Sequence, residues 1–268
     1  MKYLVFILLV FSSTAFAQTR LYVFDCGSLR LDSLAMFGLE EHESDVREMF
    51  VPCYLVEHAR GRLLWDGGLP KTVADADGDV ALEGGSMAYQ TWIVDQLAAM
   101  GIAPGQIDHV AYSHLHFDHA GAANAFVDTN VIMQRKEWDS AFGGGEGFVD
   151  TSLFDAIKPD NVTFIDGDHD VFGDGTVQLV FAPGHTPGHQ LLLVELENTG
   201  RVLLSGDLYH TRANRRLRKV PTFNHDAGQT LESMDKIEAL LAESGATLWI
   251  EHDKALADTL KKAPAYYD

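Results

Sequence analysis

The chain has 268 residues, enough for one sizeable α/β domain or two small ones. An apolar fraction of 46% with 24 glycines suits a folded core joined by tight turns and excludes a disordered or fibrous class. A formal charge of −19 repels phosphate backbones and anionic lipid, which argues against nucleic acid or a membrane surface as partner.

In chain order, Lys2 precedes an apolar run from Tyr3 to Phe11, and Ala15-Phe16-Ala17 closes a small, polar stretch. This is the pattern of a secretory signal over residues 1–17, with a mature chain from Gln18 and a periplasmic or secreted location. The apolar run is too short for a stable membrane anchor. Short runs rich in β-branched and aromatic residues, bounded by Gly, Asp, Asn or Pro, then predict ten strands. They are Leu21–Phe24, Cys53–Val56, Leu63–Trp65, Val110–Tyr112, Val131–Met133, Val162–Ile165, Val177–Phe181, Leu191–Val194, Val202–Leu204 and Leu248–Ile250. Helical spacing falls between them: Ile93, Val94, Leu97 and Met100 share one face, and Leu231, Met234, Ile237 and Leu241 share another after a polar start at Asp226. No linker or repeat divides residues 18–268, which read as one domain of two sheets covered by helices.

Two Gly-rich stretches, "ADADGDVALEGGS" (74–86) and "FGGGEGF" (142–148), read as loops lying over something. The first lacks the ligand spacing of a calcium loop and reads as solvated. Cys26 and Cys53 are the two cysteines. An even pair in an oxidising compartment invites a disulfide, yet both sit in apolar, strand-like segments where a free thiol packs as a small hydrophobe. The residues alone leave both readings open.

The chemistry concentrates in "SHLHFDHAG", Ser113 to Gly121, directly after a predicted strand. His114 and His116, two apart on an extended backbone, point to one side. Asp118 and His119 fall where a short helix through Ala122, Ala123 and Ala125 begins. These four donors exceed what one tetrahedral metal takes from a single loop, which points to two metals. Further donors stand after other strands: His185 in "APGHTPGH", Asp207 in "LLSGDLYH" and His252 in "LWIEHD". Each alone has a bland reading as a turn, cap or surface residue, but the same placement repeated at successive strand ends favours a shared site.

These residues resemble the H-x-H-x-D-H signature, later histidine, bridging aspartate and final histidine of the metallo-β-lactamase fold superfamily. The resemblance runs in order along essentially the whole chain after residue 17, and "LLWDGG" (63–68) matches an early strand and turn. It implies an αββα sandwich, two mixed sheets packed face to face with helices outside. It assigns His114, His116 and His185 to one metal, Asp118, His119 and His252 to a second, Asp207 to both, and Asp66 to orienting the ligands. Zinc is the expected metal, with iron, cobalt or manganese also suited to such a set. A metal-bridging hydroxide would attack a carbonyl while Asp118 passes a proton to the leaving alkoxide.

Within the superfamily, "LYVFDCGSL", "VPCYLVEH", "SHLHFDHAG" and "GDLYH" resemble the N-acyl-homoserine lactone lactonases, which open the lactone ring of quorum-sensing signals. That resemblance implies a small lactone substrate and tilts Cys53 toward a free, packed thiol; a homodimer is left open. One departure stands out. Where those lactonases carry a tyrosine three residues after the bridging aspartate, this chain has His210, with Tyr209 one residue earlier. Both join Asp118 as catalytic candidates, His210 as a hydrogen-bond donor to a developing oxyanion; the bland alternative is that His210 merely packs beside the site. Met36, Phe37, Met87, Phe117, Phe148 and Phe223 could line an acyl groove, or simply pack in the core. A glyoxalase II-like thioesterase shares all seven ligands. Arg212, Arg215, Arg216, Arg218 and Lys219 keep an anionic substrate in view for it, although a solvated basic loop is the plainer reading. A β-lactamase is disfavoured by Asp207, and a non-catalytic metal-binding paralogue by the complete ligand set.

Overall fold

The computed structural model describes residues 18–144 and 147–268; the signal-like segment 1–17 and the centre of "FGGGEGF" lie outside them. Among the described residues, one nine-stranded sheet holds β1 (Arg20–Leu31), β2 (Glu48–His58), β3 (Gly61–Trp65), β4 (Val80–Leu82), β5 (Gly85–Ala88), β6 (His109–Ala111), β7 (Asn130–Gln134) and β8 (Val162–Ile165) in the order β4-β5-β1-β2-β3-β6-β7-β8. A second, five-stranded sheet holds β9 (His169–Asp170), β10 (Val177–Phe181), β11 (Gln190–Leu196), β12 (Gly200–Leu204) and β13 (Thr247–Trp249) in the order β13-β12-β11-β10-β9. β14 (Tyr266–Tyr267) returns to pair with β1. The β3–β6–β7–β8 and β12–β13 pairings are parallel and the rest antiparallel, so both sheets are mixed.

Strand alternation sorts the apolar residues into layers. In β3, Leu63 and Trp65 face the second sheet while Leu64 faces outward. In β12, Val202 and Leu204 face the first sheet while Leu203 faces outward. The middle layer so formed joins Val23, Tyr54 and Val56 to Val177, Leu192 and Val194. Outside the first sheet pack α1 (Lys71–Ala74), α2 (Ile93–Ala99), α3 (Phe117–Ala120) and α4 (Arg135–Phe142), anchored by Val73, Ile93, Leu97, Ala120 and Ala141. α5 (Arg212–Leu217) lies between β12 and β13 in the chain, with Ala213 packed into the outer core of the first sheet. α6 (Ala227–Ser244) covers the second sheet through Met234 and Ile237, its start capped by Asp226 accepting from Gln229 N–H. α7 (Lys254–Ala257) lies near β2. This is the expected αββα sandwich. No described helix is long and apolar enough to cross a membrane.

All ten expected strands are present. β1 runs past its expected end because a bulge at Asp25–Ser28, with Gly27 at φ 123°, shifts register and lets the strand continue. The stretch 74–86, expected to be a loop, contains the β4–β5 hairpin, whose second strand pairs with β1. Cys26 and Cys53 form a buried disulfide with Cα atoms 5.7 Å apart, which corrects the free-thiol expectation. The bulge displaces Cys26 relative to Cys53 across the β1–β2 pair, a placement that sequence spacing does not reveal.

Candidate metal centre

The ends of β3, β6, β12 and β13 and the β10–β11 turn meet at one edge of the sandwich. After β6 the chain bends at Ser113 and is extended again at His116, which precedes α3 with φ −68° and ψ 157°. His114 and His116 project from this connection, and Asp118 and His119 from the single turn of α3. His114 Nε2 lies 2.9 Å from His116 Nδ1, and His185 Nε2 lies 3.2 Å from each. Atoms spaced this way form edges of a tetrahedron whose centre is about 2 Å from every corner, the Zn–N bond length. Asp207 Oδ2, 3.2 Å from His185 Nε2 and 3.7 Å from His114 Nε2, supplies the fourth corner. Its other oxygen, Oδ1, lies 3.2 Å from His119 Nε2 and 2.9 Å from His252 Nε2. Asp118 Oδ2 is 3.8 Å and 3.7 Å from the same two nitrogens. One carboxylate thus faces two donor clusters, one oxygen to each.

The donor set fits a pair of divalent cations. All seven side chains are buried, and His119 Nε2 and Asp207 Oδ1 have no hydrogen-bond partner among the described residues. Burial, reinforced by neighbouring imidazoles, holds His114 and His116 well below the usual histidine range, neutral as ligation requires. Burial opposes charge on His119 and His252 too, but the carboxylates, Asp207 foremost, hold His119 well above the usual range and raise His252 to about 9. Carboxylates that draw protons to buried rings draw a cation equally.

The far side of most rings is tied down. Asp66, at φ 59°, accepts from Ser113 N–H (2.7 Å), from the Ser113 hydroxyl (2.9 Å) and from His119 Nδ1 (2.8 Å), turning His119 Nε2 toward Asp207. His252 Nδ1 donates to Phe50 O at 2.7 Å, and His185 Nδ1 faces Asn224 Oδ1 at 3.3 Å. Asp66, His119 and Glu251 also cluster. With Asp66 saturated by Ser113 and His119, that group orients the centre and is no third cation site. Burial, then Asp66, pushes Glu251 up to about 8.

Three supporting residues escaped sequence reading. Buried Glu137 on α4 accepts from Leu115 N–H (2.9 Å), the Thr186 hydroxyl (2.7 Å) and Gly188 N–H (2.9 Å), joining the loops that carry His114, His116 and His185. His189 accepts from Asp207 N–H at 2.9 Å while its Nδ1 meets Ala182 O at 2.9 Å. Glu251 is the third. A second histidine in "APGHTPGH" was a visible signal for His189; nothing local marks Glu137.

The catalytic candidates separate. Asp118 borders the centre and the adjoining pocket. His210 is buried against Phe37 and Phe223, its Nε2 2.9 Å from Asp207 Oδ2 yet without hydrogen-bond geometry to any partner among the described residues. Tyr209 points away, donating to Glu238 Oε1 on α6 at 2.8 Å. Its extended backbone (φ −136°, ψ 116°) sends adjacent side chains to opposite faces, so His210 faces the donor clusters and Tyr209 does not. A pocket of about 40 Å³ beside the centre is lined by Met36, Phe37, Phe117, Phe148 and Phe223 with Leu29 and Leu31. Met87, on β5, packs against the outer core instead. The basic stretch is largely matched by the chain's own carboxylates: Arg212 by Asp253, Arg215 by Glu238, Arg218 by Asp235 and Lys219 by Glu43.

A family model described as the metallo-β-lactamase superfamily matches residues 46–243. The N-acyl homoserine lactonase AttM of Azorhizobium caulinodans is 33% identical over 267 residues, covering 93% of this chain and 98% of that one. An N-acyl homoserine lactonase of a Bacillus species is 34% identical over 229 residues, covering 83% and 88%. Among solved structures, an N-acyl homoserine lactone hydrolase with N-hexanoyl-L-homoserine bound at its catalytic metal centre superposes with a TM-score of 0.79 at 28% identity, covering 93% of this chain and 99% of that one. Sandwich, donor clusters and full-length likeness agree, and this chain belongs to the metallo-β-lactamase superfamily.

Proposed function

We propose that this hydrolase opens the lactone ring of N-acyl-homoserine lactones, using two divalent cations, zinc foremost. The observation that carries the reading is the pair of buried donor clusters with Asp207 facing both, set beside a pocket that has apolar side chains on one side and the donor residues on the other. The lactonase relatives support the substrate class. Bound divalent cations supply Lewis acidity toward a carbonyl and a nucleophile from water near neutral pH. His114, His116, His185, Asp118, His119 and His252 would hold them, together with Asp207, whose two oxygens face the two clusters. The aromatic and aliphatic wall takes the acyl chain and excludes water from it. His210 Nε2–H donates to the lactone carbonyl oxygen as negative charge develops there. Water adds to the carbonyl carbon, the ring C–O bond breaks, and Asp118, through the carboxylate oxygen not turned toward His119 and His252, carries one of the water's protons to the leaving alkoxide, giving the open hydroxy acid.

A pH-stat screen of metal-loaded protein against lactone, thioester and β-lactam panels tests this. Acyl-homoserine lactones should be opened, activity should vanish on chelation, and divalent cations should restore it. Thioester turnover without lactone turnover would move the substrate to the glyoxalase II-like class. We also propose that residues 1–17 direct export. The support is Lys2, the apolar run and Ala15-Phe16-Ala17, together with the paired cysteines. Intact mass of protein recovered from a Gram-negative periplasm should begin at Gln18; a retained Met1 would reject it.

A further inference from the structure

The turns bearing Asp66, Asp207 and His252 come from both sheets, and the residue just before each one meets at a single carboxylate oxygen. Glu251 Oε1 accepts from the indole Nε1–H of Trp65 at 3.0 Å and from the backbone N–H of Gly206 at 3.0 Å. Trp65 precedes Asp66, Gly206 precedes Asp207, and Glu251 itself precedes His252. A second link joins two of these turns: Glu251 N–H donates to Ser205 Oγ at 3.1 Å, and that hydroxyl donates to Gly206 O at 2.7 Å. Every group involved is buried, and Glu251 Oε2 has no partner among the described residues.

This arrangement is costly as a way to fill an apolar layer. A buried carboxyl with one unpartnered oxygen destabilises a fold, and an aliphatic side chain of similar volume avoids that penalty. What an aliphatic chain lacks is the acceptor between the sheets. Gly206 shows how little slack the junction has: at φ 47°, an added Cβ would lie 2.6 Å from His189 Nε2 and 2.8 Å from Ser113 Cβ. Sliding one sheet against the other would move Asp66 and its dependent His119 relative to Asp207 and His252, changing the spacing of the second donor cluster.

Resting on the reading of these donors as a two-cation centre, we infer that Glu251 is a positioning residue for it. One carboxylate oxygen locks the β3, β12 and β13 turns at the separation the cations require. Such supporting residues commonly govern metal affinity by roughly 10–100-fold.

The test compares Glu251→Gln, Glu251→Leu and Trp65→Phe with the unaltered chain. Metal content is measured by elemental analysis against graded chelator, and melting of the metal-free proteins is recorded in parallel. Glu251→Leu should surrender metal at chelator levels roughly 10–100-fold lower. Glu251→Gln, which keeps the acceptor, should hold metal like the unaltered chain, and Trp65→Phe should fall between. A folded Glu251→Leu with unaltered metal retention overturns the inference, as does a Gln variant that loses metal as readily as the Leu variant. If the Leu variant does not fold, Trp65→Phe decides: weakened retention at unchanged metal-free melting supports the inference, and unaltered retention overturns it. An unaltered chain that binds no cation overturns the two-cation reading, and the inference with it.

Discussion

His210 is where this chain departs from the lactonase pattern, and its surroundings define what it can do. Its Nε2 is buried, lacks a hydrogen-bond partner among the described residues and borders both the shared carboxylate and the pocket beside it. A donor placed where an oxyanion forms contributes on the order of 10²–10³-fold in kcat. His210→Ala should therefore lower kcat by about that factor with metal content intact, and His210→Tyr should recover much of it. Steady-state kinetics paired with metal analysis check this; a variant with unaltered kcat would leave His210 a packing residue. Glu137 is tested through stability. Alanine there leaves Leu115 N–H, Gly188 N–H and the Thr186 hydroxyl unpartnered. At about 1–3 kcal/mol per orphaned buried group, partly relieved by water entering the gap, a loss of roughly 3–4 kcal/mol is expected from urea unfolding.

At the scale of elements, the contact between α3 and the turn after β3 sets the position of Asp118 and His119. Gly67 N–H donates to His119 O at 2.6 Å and Gly121 N–H to Gly68 O at 2.9 Å. A Cβ on Gly121 would sit 2.3 Å from Gly68 O and from Leu69 C, both backbone atoms that cannot turn aside. Gly121→Ala should thus force α3 from the turn, destabilise the protein by at least about 2 kcal/mol and weaken metal retention. Gly105→Ala, where a Cβ meets open space, serves as control and should stay within about 0.5 kcal/mol. Thermal melting with metal analysis separates the two. Elements also show where local reading falls short. The strands were legible because each carries its own apolar pattern, whereas β4 and β5 have little pattern and exist by pairing, β5 along β1 and β4 along β5. α4 lay hidden because "RKEWDSAF" carries few apolar residues, and with it Glu137.

At the scale of the whole molecule, the disulfide ties β1 to β2 across a separation of 27 residues, beneath the turn that holds Asp66. A loop of that length corresponds to about 3.5 kcal/mol of lost unfolded-state freedom. Replacing Cys26 and Cys53 by alanine should lower stability by an amount of that order, read from denaturant midpoints under oxidising conditions. An unchanged midpoint would show the cross-link to be dispensable.

By itself the sequence determined the donor types and their place at strand ends, because alternation and turn chemistry act over a few residues. It pointed to His114, His116, Asp118, His119, His185, Asp207 and His252, and left the apolar residues beside them open between groove and core. Tertiary structure decided what depends on the meeting of distant segments. It turned His210 inward and Tyr209 outward, paired the cysteines across a bulge, matched the basic stretch to acidic partners and brought Glu137, His189 and Glu251 behind the donors. Direction along one strand is a local property of the backbone. Contact between turns of two sheets is set only when the apolar layer between them closes.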